Sequence, residues 1–99
     1  MVFESDVEAR LVRGVEKLGG MCLKFRPDDH EGFPDRLVLL PGREDLWVEL
    51  KRPGGRLSAM QALQHNRLKR LGREVTVLWS AEDVDRWLAD LADTPQRPD

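Results

Sequence analysis

A chain of 99 residues has room for one domain, since a second core of its own would need roughly 50 residues. Apolar residues at 40% and charged residues at 34% describe a soluble globular protein, and no uncharged apolar run is long enough to span a bilayer. Sixteen Lys and Arg against eighteen Asp and Glu leave a net charge of −2, which speaks against a uniformly basic nucleic-acid binder.

In chain order, the first expected element is a helix opening at Ser5. Val7, Leu11, Val12, Val15 and Leu18 recur at helical spacing, and Gly19-Gly20 stops it. Met21 to Phe25 is short and apolar, hence a strand, and RPDDHEGFP is a polar loop. Asp35 to Leu40 and Leu46 to Lys51 read as two strands joined by a connection of hairpin length, residues 41–45. After the PGGRL loop, Ser58 and Gln61 have the form of a capping box. The helix they open is expected to turn Met60, Leu63, Leu68 and Leu71 inward and to end at Gly72, leaving His65 exposed. Glu74 to Trp79 is a fourth strand, and Ser80 caps a last helix with Val84, Trp87, Leu88 and Leu91 on one face. The order is α-β-β-β-α-β-α, a sheet with helices packed on it. One domain is expected over residues 1–92, with residues 93–99 a disordered tail.

The N-terminal MVFESDVEAR lacks a basic n-region and an apolar h-region, so no secretory signal is visible. The single Cys22 has no internal disulfide partner, and no Cys cluster is available for zinc. A reducing cytoplasm is the expected setting, with no role at a membrane.

Net charge hides its own distribution. Residues 1–20 sum to −1, residues 21–50 to −3 and residues 74–99 to −5. From Lys51 to Arg73 there are seven basic residues and no acid: Lys51, Arg52, Arg56, Arg67, Lys69, Arg70 and Arg73. A stretch at +7 can hold a phosphate backbone; the plainer alternative is the solvated face of one helix.

In the strand Leu46–Lys51, alternation puts Trp47, Glu49 and Lys51 on one face. Folding the hairpin brings Asp35 beside Glu49 or Lys51, depending on register. Two carboxylates and an ammonium then meet at the open end of one hairpin. Hard carboxylate oxygens suit Mg²⁺, which can polarise a phosphoryl oxygen and activate a water, while the lysine offers a point charge with three donors. An E-x-K spacing is common on its own, and the alternative is an ordinary Glu–Lys pair on a strand.

The run from Gly32 to Gln61, GFPDRLVLLPG followed by WVELK, PGGRLS and a glutamine, resembles a VRR-NUC domain of the PD-(D/E)XK nuclease superfamily. Pro34-Asp35 stands where that family has its PD, and Glu49-Leu50-Lys51 where it has E-x-K. Gln61 matches the glutamine of the following helix, and the resemblance extends from about Glu4 to about Leu91. It implies a restriction-endonuclease-like α/β fold, an αβββαβα core with a mixed four-stranded sheet flanked by helices. It also implies a nuclease dependent on Mg²⁺ or Mn²⁺, with Asp35, Glu49 and the Leu50 carbonyl as metal ligands. Lys51 would assist the nucleophilic water, and Gln61 would support the site or contact DNA. Glu8 is the match for a glutamate on the first helix, although Ser5-Asp6-Val7-Glu8 also reads as a capping box and Glu4 lies one turn earlier. Stand-alone members are similar to Holliday-junction resolvases that act as homodimers, so branched DNA and a second copy are the implied partners.

Arg52, Arg56, Arg67, Lys69 and Arg70 are the expected DNA contacts. Lys24 joins them if it reaches a phosphate rather than snorkelling at a sheet edge. His30, in the loop Asp28-Asp29-His30-Glu31, lacks a second histidine at ligand spacing and reads as a solvated loop residue. That loop is more acidic than its counterpart in the family. Trp47, Trp79 and Trp87 are core candidates, Trp47 alternatively walling the site. The competing functions are a non-catalytic DNA-binding or regulatory module and a domain whose basic helix faces protein.

Overall fold

The computed structural model describes residues 4–93 and has the expected order: helix α1 (Glu4–Lys17), strands β1 (Met21–Lys24), β2 (Arg36–Leu39) and β3 (Leu46–Leu50), helix α2 (Ala59–Arg70), strand β4 (Glu74–Leu78) and helix α3 (Ala81–Asp93). Its four strands form one mixed sheet in the order β1-β2-β3-β4. The first three run antiparallel, and β4 lies parallel to β3, reached through the α2 crossover.

Two layers follow from the alternation of the strands. Leu46, Val48 and Leu50 of β3 join Val38 of β2 and Leu78 of β4 in the buried core, against Leu11 and Val15 of α1 and Val84 of α3. Val7, Trp87, Leu88 and Leu91 pack around this cluster, so the apolar stripes of both outer helices are spent on one face of the sheet. A paired contact clamps the two helices at the surface, Arg10 Nε and Nη2 reaching Asp85 Oδ1 and Oδ2 at 2.6 and 2.8 Å. Gly20 N–H closes α1 on the Val15 carbonyl at 3.0 Å. Ser5 lies inside α1 rather than ahead of it, so it does not stand where an N-cap would. At the other end α3 runs through Asp93, the residue expected to open the tail, and residues 94–99 of that tail lie outside the described residues.

The opposite face carries α2. Ser58 Oγ accepts from Gln61 N–H at 3.0 Å and Gln61 Oε1 accepts from Ser58 N–H at 2.8 Å, the reciprocal box that the spacing predicts. The helix stops at Gly72, whose φ of 84° lets Arg73 N–H reach back to the Leu68 carbonyl at 2.9 Å. Its orientation corrects the sequence reading. Met60, Leu63 and Leu71 are exposed, and the buried residues are Gln64, His65 and Leu68. With half-buried Gln61 these form an i, i+3, i+4, i+7 stripe, so α2 lays a largely polar face on the sheet. His65, expected exposed, is only 3% exposed.

Candidate active site

Register decides what meets at the hairpin's open end. Arg36 pairs with Val48 and Leu37 with Trp47, so one step further along the ladder Asp35 stands opposite Glu49. The alternative pairing with Lys51 is not the one adopted. Two backbone bonds carry the strands past their formal ends, Phe25 N–H to the Asp35 carbonyl and Lys51 N–H to the Leu78 carbonyl, each 2.9 Å. Asp35 and Lys51 are therefore held by main chain rather than by loop.

Together they floor a cleft of about 530 Å³, lined by Phe25, Phe33, Asp35, Glu49, Leu50, Lys51, Arg52, Arg56 and Gln61 among others. Glu49 is only 5% exposed although its side chain is ionisable. Asp35 Oδ1 is buried with no hydrogen-bond partner among the described residues. Burial lifts the Asp35 carboxyl above the usual aspartate range. The Leu50 backbone N–H and Asp35's own amide pull against that lift, and the neighbouring Glu8 charge adds to it. Asp35 in this state presents an oxygen atom that no donor among the described residues satisfies.

Glu8 approaches from α1 but is engaged: its Oε2 accepts from Arg36 Nη2 at 3.2 Å, and Arg36 itself is buried on the core side of β2. No group of three His, Cys, Asp or Glu side chains converges tightly enough to hold a metal among the described residues. A cation here would rest on Asp35, Glu49 and the Leu50 carbonyl, with water completing its shell, a donor set that suits Mg²⁺ or Mn²⁺ better than a softer metal.

The expected DNA contacts divide into two groups. Arg52 and Arg56 line the cleft beside Lys51, and Arg26 joins them from the loop before β2. Lys69 and Arg70 lie exposed in the last turn of α2, where Arg67 Nη1 donates to Gln64 Oε1 at 3.4 Å. Lys24 is exposed on β1 and does not line the cleft. Gln61 lines it, but its oxygen is committed to the Ser58 cap. His30 is an exposed loop residue at the cleft mouth, paired with Asp29 at 2.9 Å. Trp47 does not line the cleft but backs two residues that do: it meets Phe25 edge-on at 5.1 Å and Phe33 at 6.1 Å, and its Nε1 donates to Asp45 at 2.6 Å.

Sequence reasoning missed His65. Its Nε2 stands 3.7 Å from Glu49 Oε1, and the pair is almost fully enclosed. Burial, then the charges of Lys69 and Lys51, push the imidazole's pKa down. The signal that could have found it is its position four residues after Gln61 on a capped helix, hence on the same face.

A curated relative, "Putative nuclease p44" of Acyrthosiphon pisum secondary endosymbiont phage 1, is 40% identical over 82 residues, covering 83% of this chain and 88% of its own length. A solved VRR_NUC domain superposes with a TM-score of 0.81 at 30% identity, over 87% of this chain and 94% of that one. The chain belongs to the VRR-NUC family. No family model matches it. The mixed four-stranded sheet with its three helices is the VRR-NUC architecture, as the resemblance implies. Asp35 and Glu49-Leu50-Lys51 lie together on the floor of its cleft, with Pro34 buried beside them in sequence.

Proposed function

We propose that this VRR-NUC chain is a DNA endonuclease that hydrolyses phosphodiester bonds with the help of Mg²⁺ or Mn²⁺. The observation that carries the reading is Asp35 Oδ1, a buried carboxylate oxygen without a hydrogen-bond partner among the described residues, beside Glu49 and on the same cleft floor as Lys51. Asp35, Glu49 and the Leu50 carbonyl would hold the cation, and Glu8 would join them only on leaving Arg36. When bound, the cation lowers the pKa of a water and draws charge from the phosphoryl oxygen. Lys51 supplies the fixed ammonium that orients the attacking water and offsets charge developing on the phosphate. Arg52 and Arg56, on the same cleft wall, hold the neighbouring phosphates.

The substrate we favour is structured DNA such as a Holliday junction, cut by a homodimer in the cytoplasm, because one such site cuts one strand and symmetric cleavage needs two. Exposed Met21, Leu23 and Leu39, which share the cleft's face of the sheet, support a protein partner there. A non-catalytic DNA-binding module is the second reading, favoured by the lack of three converging side-chain ligands among the described residues.

The test incubates labelled duplex, nicked and four-way DNA with Mg²⁺ or Mn²⁺, comparing the native chain with Glu49→Ala and Lys51→Ala. Each variant should lose cleavage by about 100-fold or more while still binding DNA in Ca²⁺. Equal residual cleavage by the variants would sink the site assignment. Salt-sensitive DNA binding with no product from the native chain would establish the binding module instead.

A further inference from the structure

The geometry points to His65 as the residue that positions the Glu49 carboxylate. This rests on the reading of Glu49 as part of a metal-dependent cleavage site.

Glu49 comes from the middle of the sheet and His65 from the helix laid over it. Their facing atoms, Oε1 and Nε2, are 3.7 Å apart, and the side chains are 6% and 4% exposed. Nε2 itself is buried with no hydrogen-bond partner among the described residues. An imidazole nitrogen enclosed without a bond forfeits its hydration with nothing in return, so an aliphatic residue would pack this place more favourably. Packing alone therefore does not account for a histidine whose polar atom faces an acid. A contact of 3.7 Å is longer than a hydrogen bond, but a shift of under about 1 Å brings it to bonding distance. Such bonds are often long before the reacting complex forms and tighten within it.

The helix is built to hold that aim. The Ser58–Gln61 box fixes the start of α2, and His65 follows one turn after Gln61 on the buried stripe with Gln64 and Leu68. With its proton on Nε2, the imidazole donates to Glu49 Oε1 and pins the carboxylate's rotation. The other oxygen is then directed toward the cleft. His65 does not line the cleft, so it acts through Glu49 rather than on the substrate. Outer partners of this kind commonly change metal affinity or activity by about 10–100-fold.

The experiment measures Mn²⁺ binding by titration calorimetry, DNA affinity in Ca²⁺ and single-turnover cleavage, for His65→Leu, His65→Phe and His65→Gln, with Glu49→Gln as reference. His65→Leu and His65→Phe should weaken Mn²⁺ binding and slow cleavage by about 10–100-fold, with DNA affinity unchanged. His65→Gln, whose amide N–H₂ reaches close to the place of Nε2, should recover most of both. Circular dichroism and thermal melts establish which variants are folded, and the two apolar variants guard against one that is not. The assignment falls if either folded apolar variant binds Mn²⁺ as tightly as the native chain, or if His65→Gln is as impaired as His65→Leu. If Glu49→Gln itself leaves cleavage and Mn²⁺ binding intact, the active-site reading fails instead.

Discussion

Asp35 carries the conflict between stability and chemistry most openly. Its carboxyl is half-buried, one oxygen has no hydrogen-bond partner among the described residues, and burial raises its pKa above that of an unfolded aspartate. The native state therefore keeps the proton to higher pH than the unfolded chain does, so stability is lost as pH rises through that lifted pKa. Asp35→Asn removes the charge while keeping an oxygen for the Leu50 N–H. In metal-free buffer at pH 7.5 the variant should melt about 2–5 °C higher than the native chain. The gap should close as pH falls below the lifted pKa, where both side chains are neutral. Added Mn²⁺ should raise the melting temperature of the native chain and leave the variant nearly unmoved. A native chain that melts no lower than Asp35→Asn at pH 7.5 would show that the carboxylate is not penalised.

At the scale of elements, α2 is where the sequence was hardest to read. The order of elements, the strands to within a residue or two, both polar helix starts at Ser58 and Ser80, and the meeting of Asp35 with the Glu49–Lys51 end of β3 all followed from spacing, while the register that sets Asp35 opposite Glu49 did not. Those features obey local rules: period two in a strand, a side-chain oxygen at a helix start, a short connection forcing antiparallel pairing. The facing of α2 does not. Taking apolar residues as inward puts Met60, Leu63 and Leu71 on the sheet, yet they are exposed, because the surface beneath this helix includes Glu49 and takes Gln64 and His65. Only the tertiary position of the acid strand determines that, and no window of local sequence contains it.

The same helix separates two roles of Gln61. Its oxygen caps α2, so Gln61→Ala should destabilise the fold by about 1 kcal/mol as well as alter the cleft. Gln61→Glu keeps the box and should melt within about 2 °C of the native chain, while placing a new negative charge against the DNA phosphates. DNA affinity in Ca²⁺ should then fall several-fold; an unchanged affinity would mean that Gln61 does not face the nucleic acid.

Across the whole molecule, charge and apolar surface are both apportioned by face. The acid-free stretch from Lys51 to Arg73 leaves the end of β3, passes the cleft wall and forms the crossover helix, so its charges divide between the cleft, with Lys51, Arg52 and Arg56, and the last turn of α2, with Arg67, Lys69 and Arg70. A net charge of −2 conceals it because the compensating acids lie largely elsewhere. On the edge strand β1 and its neighbour β2, Met21, Leu23 and Leu39 form an exposed apolar strip. If that strip joins two copies, Leu23→Lys should shift the sedimentation coefficient from dimer to monomer at micromolar concentration. Its single-copy melting behaviour should be little changed, since the residue is already exposed. Identical sedimentation of the native chain and Leu23→Lys as monomers would leave the strip to another partner.

The sheet is also a partition. The outward sides of α1 and α3, joined by the Arg10–Asp85 clamp, are screened from Asp35, Glu49 and Lys51 by four strands. Random replacement of Arg13, Glu16, Lys17, Glu82, Arg86 and Asp90 therefore has one route to any phenotype, the folded fraction. In a mutational library, variants at these positions should keep their turnover per folded molecule while their yield drifts. Cleft variants should scatter in turnover at constant yield. The two faces would evolve at separate tempos, one under selection for persistence and the other for chemistry.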